Sequence, residues 1–322
     1  MVVPLPRLGE PHKMALMRSI LLAASQNTWL RENAVNYPFV RRSVSRFMPG
    51  ESLDAAMQAA RGLEQKKIAS VFTNLGENVK DRAEALQVTE HYVEALRRIH
   101  DSGLQTEISV KLTQLGLDLS PDFCFENLDR IIAHEKKDAI VWVDMEASPY
   151  VDATLDIYKR ALGKYPNAGI CLQAYLYRTQ KDVEALLPLQ PSIRLVKGAY
   201  KETPEIAFPK KQDVDENYFS LAAAMMAAQS AGHCVRAAFG THDVNLIRRL
   251  ASHAAQNGFR KNDFEVQMLY GIQREEQERL AREGYRSGVL VAYGTYWYPW
   301  FVRRLAERPA NLWFMARNLF AS

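Results

Sequence analysis

Apolar positions along this chain change rhythm once. Up to about residue 65 they recur at helical spacing, interrupted at Pro38 and at Pro49-Gly50. Ser52-Leu53-Asp54 ahead of Ala55-Ala56-Met57 reads as a helix start. From Ile68 onward, short apolar runs alternate with helix-length amphipathic segments. The runs are Ile68 to Leu75, Glu107 to Leu112, Ala139 to Asp144, Gly169 to Gln173, Arg194 to Lys197, His233 to Ala238, Phe264 to Met268 and Val289 to Ala292. Between them, Asp81 to His100, Asp152 to Leu162, Thr179 to Leu186 and Val244 to Gln256 carry helical periodicity. Eight such alternations predict an α/β fold of the (βα)8 TIM-like kind, because connections this long favour right-handed crossovers between parallel strands. A barrel of this type takes about 250 residues. The expected organisation is therefore a helical arm over residues 1–65 and one barrel domain over 66–322.

Composition narrows the class without changing it. The 322 residues are 48% hydrophobic and 24% charged, as in a globular protein with a large core. The net charge of +4 is spread along the chain, which disfavours nucleic acid as a partner. Cys124, Cys171 and Cys234 lie in or near apolar runs with no metal-ligand spacing, so buried thiols are expected and no metal site. No run reaches the ~18 apolar residues of a membrane span. Met14 to Ala24 imitates a signal peptide, but Arg18 interrupts it, and a cytoplasmic location is expected. Peripheral contact with the inner membrane stays open.

Chemistry in such a barrel sits at the carboxyl ends of the strands. There the sequence places Lys111, Asp144, Gln173, Lys197, Thr241-His242 and Gln267, with Arg194 at the start of its run. Each alone has a plain alternative: Lys111 could pair with a carboxylate, Asp144 could cap the next helix, the two glutamines could satisfy backbone, and His242 could be a core residue. Collected at equivalent strand ends, they point to a pocket. The stretch Arg194-Leu195-Val196-Lys197-Gly198-Ala199-Tyr200 ends on a cation and a glycine, a pairing suited to an anion. Arg303-Arg304 beneath aromatic residues is a natural carboxylate clamp, with an exposed helix face as the alternative.

Together these segments resemble the flavin-dependent proline dehydrogenase family. The resemblance rests on Ser109-Val110-Lys111-Leu112, Val143-Asp144-Met145-Glu146, Gln173-Ala174-Tyr175, Arg194 to Tyr200, Thr241-His242, Glu265-Val266-Gln267 and Arg303 to Pro309, in the family's order. It implies a distorted barrel binding FAD at its mouth, oxidation of L-proline to Δ1-pyrroline-5-carboxylate, and a quinone-type electron acceptor. It also implies roles. Lys111, Arg303 and Arg304 would hold the substrate carboxylate and Tyr200 would line the proline ring. Asp144, aiming Lys111, and Arg194, near the reduced flavin, would be active-site residues. Met145, Gln173, Lys197, Gly198, Ala199, Thr241 and His242 would contact FAD, with Gln267 and Glu307 as further candidates. Two positions depart from the family, Trp300 and Leu290 standing where tyrosines are usual, so a proline analogue as substrate stays open. A Schiff-base lyase using Lys111 or Lys197, or a non-catalytic binding barrel, are the competing expectations.

Overall fold

A computed structural model describes residues 44–76 and 79–302 and the backbone of 303–307. Most of the expected helical arm, residues 1–43, lies outside the described residues. The first described helix, α1 (Leu53–Glu64), begins where expected: the Ser52 hydroxyl accepts from the Ala55 N–H at 3.2 Å. It packs on the first and last strands of the sheet.

Eight parallel strands then close on themselves in chain order. They are β1 (Ala69–Asn74), β2 (Thr106–Lys111), β3 (Val141–Asp144), β4 (Ala168–Gln173), β5 (Ser192–Val196), β6 (Arg236–Gly240), β7 (Glu265–Leu269) and β8 (Arg286–Tyr293). β1 pairs with both β2 and β8, and Leu75 N–H donates to Tyr293 O at 2.7 Å to seal the closure. The intervening helices are α2 (Arg82–Ser102), α3 (Pro121–Ala133), α4 (Val151–Leu162), α5 (Thr179–Leu186), α6 (Lys211–Ser230), α7 (Val244–Gln256) and α8 (Arg274–Arg282), and α9 (Trp297–Glu307) follows β8. Their starts have local causes. Asp81 caps α2, Ser120 caps α3 ahead of Pro121, and Asp243 caps α7.

Alternate residues of every strand face opposite ways. Ile108 and Val110, Val141 and Val143, Ile193 and Leu195, Val266 and Met268 belong to the large core shared with the helices. The residues between them fill the lumen. A separate cluster joins α9 to the segment before α1: Trp297, Trp300 and Phe301 pack with Val44, Phe47, Met48, Leu75 and Ala292. Trp297 Nε1 donates to Glu51 at 2.9 Å, which fixes the start of α9 beside the barrel mouth.

Every strand is shifted by one to three residues at one or both ends from its expected bounds, and three of the shifts bear on the lumen. β5 begins at Ser192, so Arg194 is mid-strand and faces inward rather than opening the strand. β6 runs from Arg236 through Gly240 and not from His233; Gly240 continues the strand because a side chain there would meet Val196 Cγ1 at 2.8 Å. β8 extends back to Arg286 through Gly288, where a Cβ would lie 2.4 Å from Glu265 Oε1. Both glycines mark close approach inside the barrel and not chain breaks.

Candidate active site

A cavity of about 620 Å³ opens at the carboxyl ends of the strands. Lys111, Asp144, Met145, Gln173, Arg194, Lys197, Gly198, Ala199, Tyr200, Thr241, His242 and Gln267, all expected from the sequence, line it. Arg303 and Arg304 lie in α9, but their side chains fall outside the described residues, as does that of Glu307. Trp300 and Leu290 both stand in the cavity wall.

The alternation of β2 and β3 builds the floor. Glu107, Ser109 and Lys111 share one face of β2, and Trp142 and Asp144 share one face of β3. Lys111 is opposite Asp144 in register, yet the Asp144 carboxylate does not pair with it. Instead Asp144 Oδ1 accepts from Arg194 Nη2 at 2.6 Å and from Ser109 Oγ at 2.8 Å. The expectation that Asp144 aims Lys111 is corrected on this point. A guanidinium reaching across the lumen from β5 takes the carboxylate first, and among the described residues Lys111 has no ion pair. Asp144 does not cap a helix either, since α4 starts after Tyr150.

Arg194 is 4% exposed. It also donates from Nη2 to Ser109 Oγ at 2.6 Å and from Nη1 to Gln267 Oε1 at 3.2 Å, and it lies 4.9 Å from the Trp142 ring centroid. Burial opposes its charge, but Asp144, Cys171 and Glu107 together outweigh it and hold the guanidinium pKa above its ordinary value.

At the rim, Lys197 donates to Asp215 and, at 3.0 Å, to Asp243; Lys211 donates to the same two carboxylates. Burial alone would raise the Asp243 carboxyl, but its hydrogen bond and charge contacts with Lys197 win and bring it to about 2. The cation expected at Lys197 is thus part of a four-membered charge ring. Gly198, at φ 117°, lets the Tyr175 ring pack where a Cβ would sit 2.3 Å from it. Glu202 fastens this loop to the end of β3 by accepting from Ser148 N–H at 2.8 Å and Ser148 Oγ at 2.7 Å.

Two polar groups report on what the cavity would hold. Gln173 Nε2 donates to Met145 O at 3.4 Å, while its buried Oε1 has no partner among the described residues. His242 Nε2 accepts from Leu269 N–H at 2.9 Å, which leaves the ring proton on Nδ1. Sequence reasoning passed over Glu107, Trp142, Arg236, Lys211, Asp215 and Asp243. The signal for the first two was present: a polar residue two positions before Ser109, and an indole two before Asp144, on the same inward face.

The described residues contain no group of three or more His, Cys, Asp or Glu side chains able to hold a metal, and no helix among them is long and apolar enough to cross a membrane. All three cysteines are free and buried.

Comparison with known proteins gives one answer. The family model described as proline dehydrogenase matches residues 56–317. The chain is 36% identical over 305 residues to proline dehydrogenase 1 of Bacillus subtilis subsp. natto, covering 94% of this chain and 99% of that one. It is 37% identical over 280 residues to the proline dehydrogenase of Deinococcus radiodurans, covering 85% and 89%. In fold it is similar to proline utilization A from Bdellovibrio bacteriovorus inactivated by N-propargylglycine, with a TM-score of 0.79 at 23% identity. That match covers 93% of this chain and only 37% of the larger protein.

Proposed function

The chain belongs to the proline dehydrogenase family, and on that premise we propose that it oxidises L-proline to Δ1-pyrroline-5-carboxylate with FAD as cofactor and a quinone-type compound as electron acceptor. The observation carrying this reading is the cavity. One buried arginine, one lysine with no ion-pair partner among the described residues and one amide oxygen orphaned among them converge on a space of about 620 Å³, in the size range of small-molecule sites.

The residues present fit a flavin. Gln173 Oε1 is a buried acceptor in need of a donor, and an N–H or hydroxyl of the cofactor would supply one. Gly198 and Ala199 bring bare backbone to the rim, and Met145 gives an apolar surface 6% exposed. Thr241 and His242 complete that wall, beside Lys197. When bound, FAD would supply the two-electron acceptor.

The chain's own residues then have defined tasks. Lys111, with Arg303 and Arg304 on the resemblance, binds the substrate carboxylate and fixes the height of the ring. Tyr200, Leu290 and Trp300 bound the space left for that ring and exclude water from it. Arg194 sets a positive charge at the floor, where it stabilises negative charge that develops on reduction. Asp144 and Ser109 hold Arg194 in place. Trp300 and Leu290 carry no hydroxyl, so the ring's surroundings are apolar on that side, which suits an unsubstituted pyrrolidine.

A Schiff-base lyase working through Lys197 is not supported. Lys197 would have to leave two carboxylates before its nitrogen could attack a carbonyl.

The test is an anaerobic titration of the purified protein with L-proline while the flavin absorbance is followed. Bleaching that saturates with proline is expected. A colourless protein that takes up no FAD, or a flavin that proline does not reduce, overturns the assignment. Arg303→Met is expected to weaken proline binding strongly while FAD stays bound; unchanged proline affinity would remove Arg303 from the clamp.

A further inference from the structure

Beneath Arg194 the branched apolar side chains usual in such lumens are reduced to a small cluster around Trp142, made with Val71, Ile140 and Ala238. A chain of charged and polar groups runs down from Arg194. Gln267 Nε2 donates to Glu265 Oε1 at 2.9 Å, and Arg236 donates from Nε to Glu265 Oε2 at 2.9 Å and from Nη2 to the same oxygen. Arg236 Nη1 donates to Glu107 Oε1, and Trp142 Nε1 donates to Glu107 Oε2 at 2.8 Å. Trp142, fully buried, lies between the two guanidinium groups, 4.9 Å from Arg194 and 5.6 Å from Arg236. Two glycines make room. A Cβ at Gly169 would stand 2.7 Å from the Trp142 ring, and one at Gly288 would stand 2.4 Å from Glu265 Oε1.

The link that matters is Gln267. An amide has one donating and one accepting end, and which way it points is decided by its neighbours. Glu265 is 1% exposed and ionised beside Arg236, so it can only accept. It therefore claims the Gln267 NH2 and turns the carbonyl Oε1 toward Arg194, which can only donate. In the opposite orientation the NH2 would face the guanidinium and the carbonyl would face the carboxylate, two repulsive contacts in a dry interior where neither can be solvated.

We propose that Glu265 is a positioning residue for the redox site, fixing through the polarity of Gln267 the place of the Arg194 guanidinium on the cavity floor. Nothing about the pocket itself requires a carboxylate two residues below it. The requirement comes from the guanidinium, which among the described residues is anchored on one side by Asp144 and Ser109 and on the other by this amide oxygen, with the Cys171 thiol beside it. With the amide reversed, Arg194 loses one of its two anchoring sides and tilts toward Asp144. Glu107 and Arg236 complete the device by keeping Glu265 ionised and still.

This inference rests on the FAD-dependent reading above, and the experiment separates the two. Glu265→Gln, Gln267→Met and the exchange Glu265→Gln/Gln267→Glu are compared with wild type in three measurements. These are the flavin midpoint potential, the proline titration, and the melting temperature without cofactor. The exchange keeps the net charge and sets an accepting carboxylate directly against Arg194. For Glu265→Gln and Gln267→Met, kcat/KM is expected to fall between about 10- and 100-fold, as for a misplacement of about 1 Å. Their midpoint potential is expected to shift to a lower value, because a displaced positive charge stabilises the reduced cofactor less. The exchange variant is expected to recover most of the rate, which a general loss of packing would not allow, while its potential stays low because the new carboxylate offsets the Arg194 charge.

Gln267→Met keeps the Glu265–Arg236 pair, so it stays informative if Glu265→Gln fails to fold. A wild-type potential and rate in Gln267→Met, or an exchange variant that folds but stays as impaired in rate as the single variants, overturns the proposal. A wild-type protein without FAD would overturn the functional reading instead.

Discussion

The lumen of this barrel is charged at both ends, and the two ends behave differently. In the lower layer Glu107, Arg236 and Glu265 are bonded to one another and to Trp142, with side-chain exposures of 12%, 11% and 2%. In the upper layer, among the described residues, Lys111 has no ion-pair partner and Gln173 Oε1 is buried without a donor. A buried charge must be paired or neutralised, and one that is fully paired has little left to offer a ligand. The lower layer is therefore architecture. The upper layer is incomplete, and a ligand completes it. Arg194 joins the two, since one face of its guanidinium belongs to the lower network and its position lines the cavity.

The strongest way to break this comparison is to remove a partner from the lower layer. Arg236→Leu leaves the Glu107 and Glu265 carboxylates buried together, and a loss of about 3–5 kcal/mol of unfolding free energy is expected in chemical denaturation. A loss below about 1 kcal/mol would mean that the lower layer is solvated and that its completeness is an illusion.

Lys111→Met asks the converse question of the upper layer. The thermal midpoint should hardly move, because no described ion pair is lost. The expected loss is in kcat/KM for proline, by about 1.5–3 kcal/mol of transition-state binding, the worth of a hydrogen bond to a charged group. If the variant unfolds early and binds proline normally, Lys111 is structural and the contrast between the layers fails.

The smallest effect sharpens the picture at the rim. Asp243 stands at about 2 in the folded protein against an ordinary 3.8. A lowered carboxyl contributes stability above its unfolded pKa and loses it as the pH falls through the folded one. Unfolding free energy should accordingly drop as the pH goes from about 4 to about 2, and Asp243→Asn should flatten part of that drop. The pair is partly exposed, so a change of at most about 1 kcal/mol is expected, and salt should shrink it. An identical acid profile in the variant would show that Lys197 does not depend on Asp243.

The barrel was legible in the order of its segments. Alternating apolar runs and amphipathic helices leave few ways to bury both faces of a parallel sheet, and each expected strand is present. Its ends were less so. The expected runs stopped at Ala238 and started at Val289, short of Gly240 and Gly288, because sequence shows a missing side chain but not the neighbour that needs its space. The pocket-lining residues were also legible, since a polar residue closing an apolar run has to emerge at the mouth.

Pairing could not be read in the same way. Lys111 and Asp144 are in register, and sequence suggested that they pair; the fold brings Arg194 across from the far side of the lumen to take the carboxylate. Likewise Lys197 looked like a bare cation until α6 and α7 brought Asp215 and Asp243 against it. The sequence by itself determined the order of the strands and which residues share a face, because strand alternation is a local property of the backbone. Only the tertiary structure decided which charge meets which, because closing the barrel puts residues as far apart as Glu107 and Arg236 within one hydrogen bond, and a hydrogen bond is satisfied by distance and direction alone.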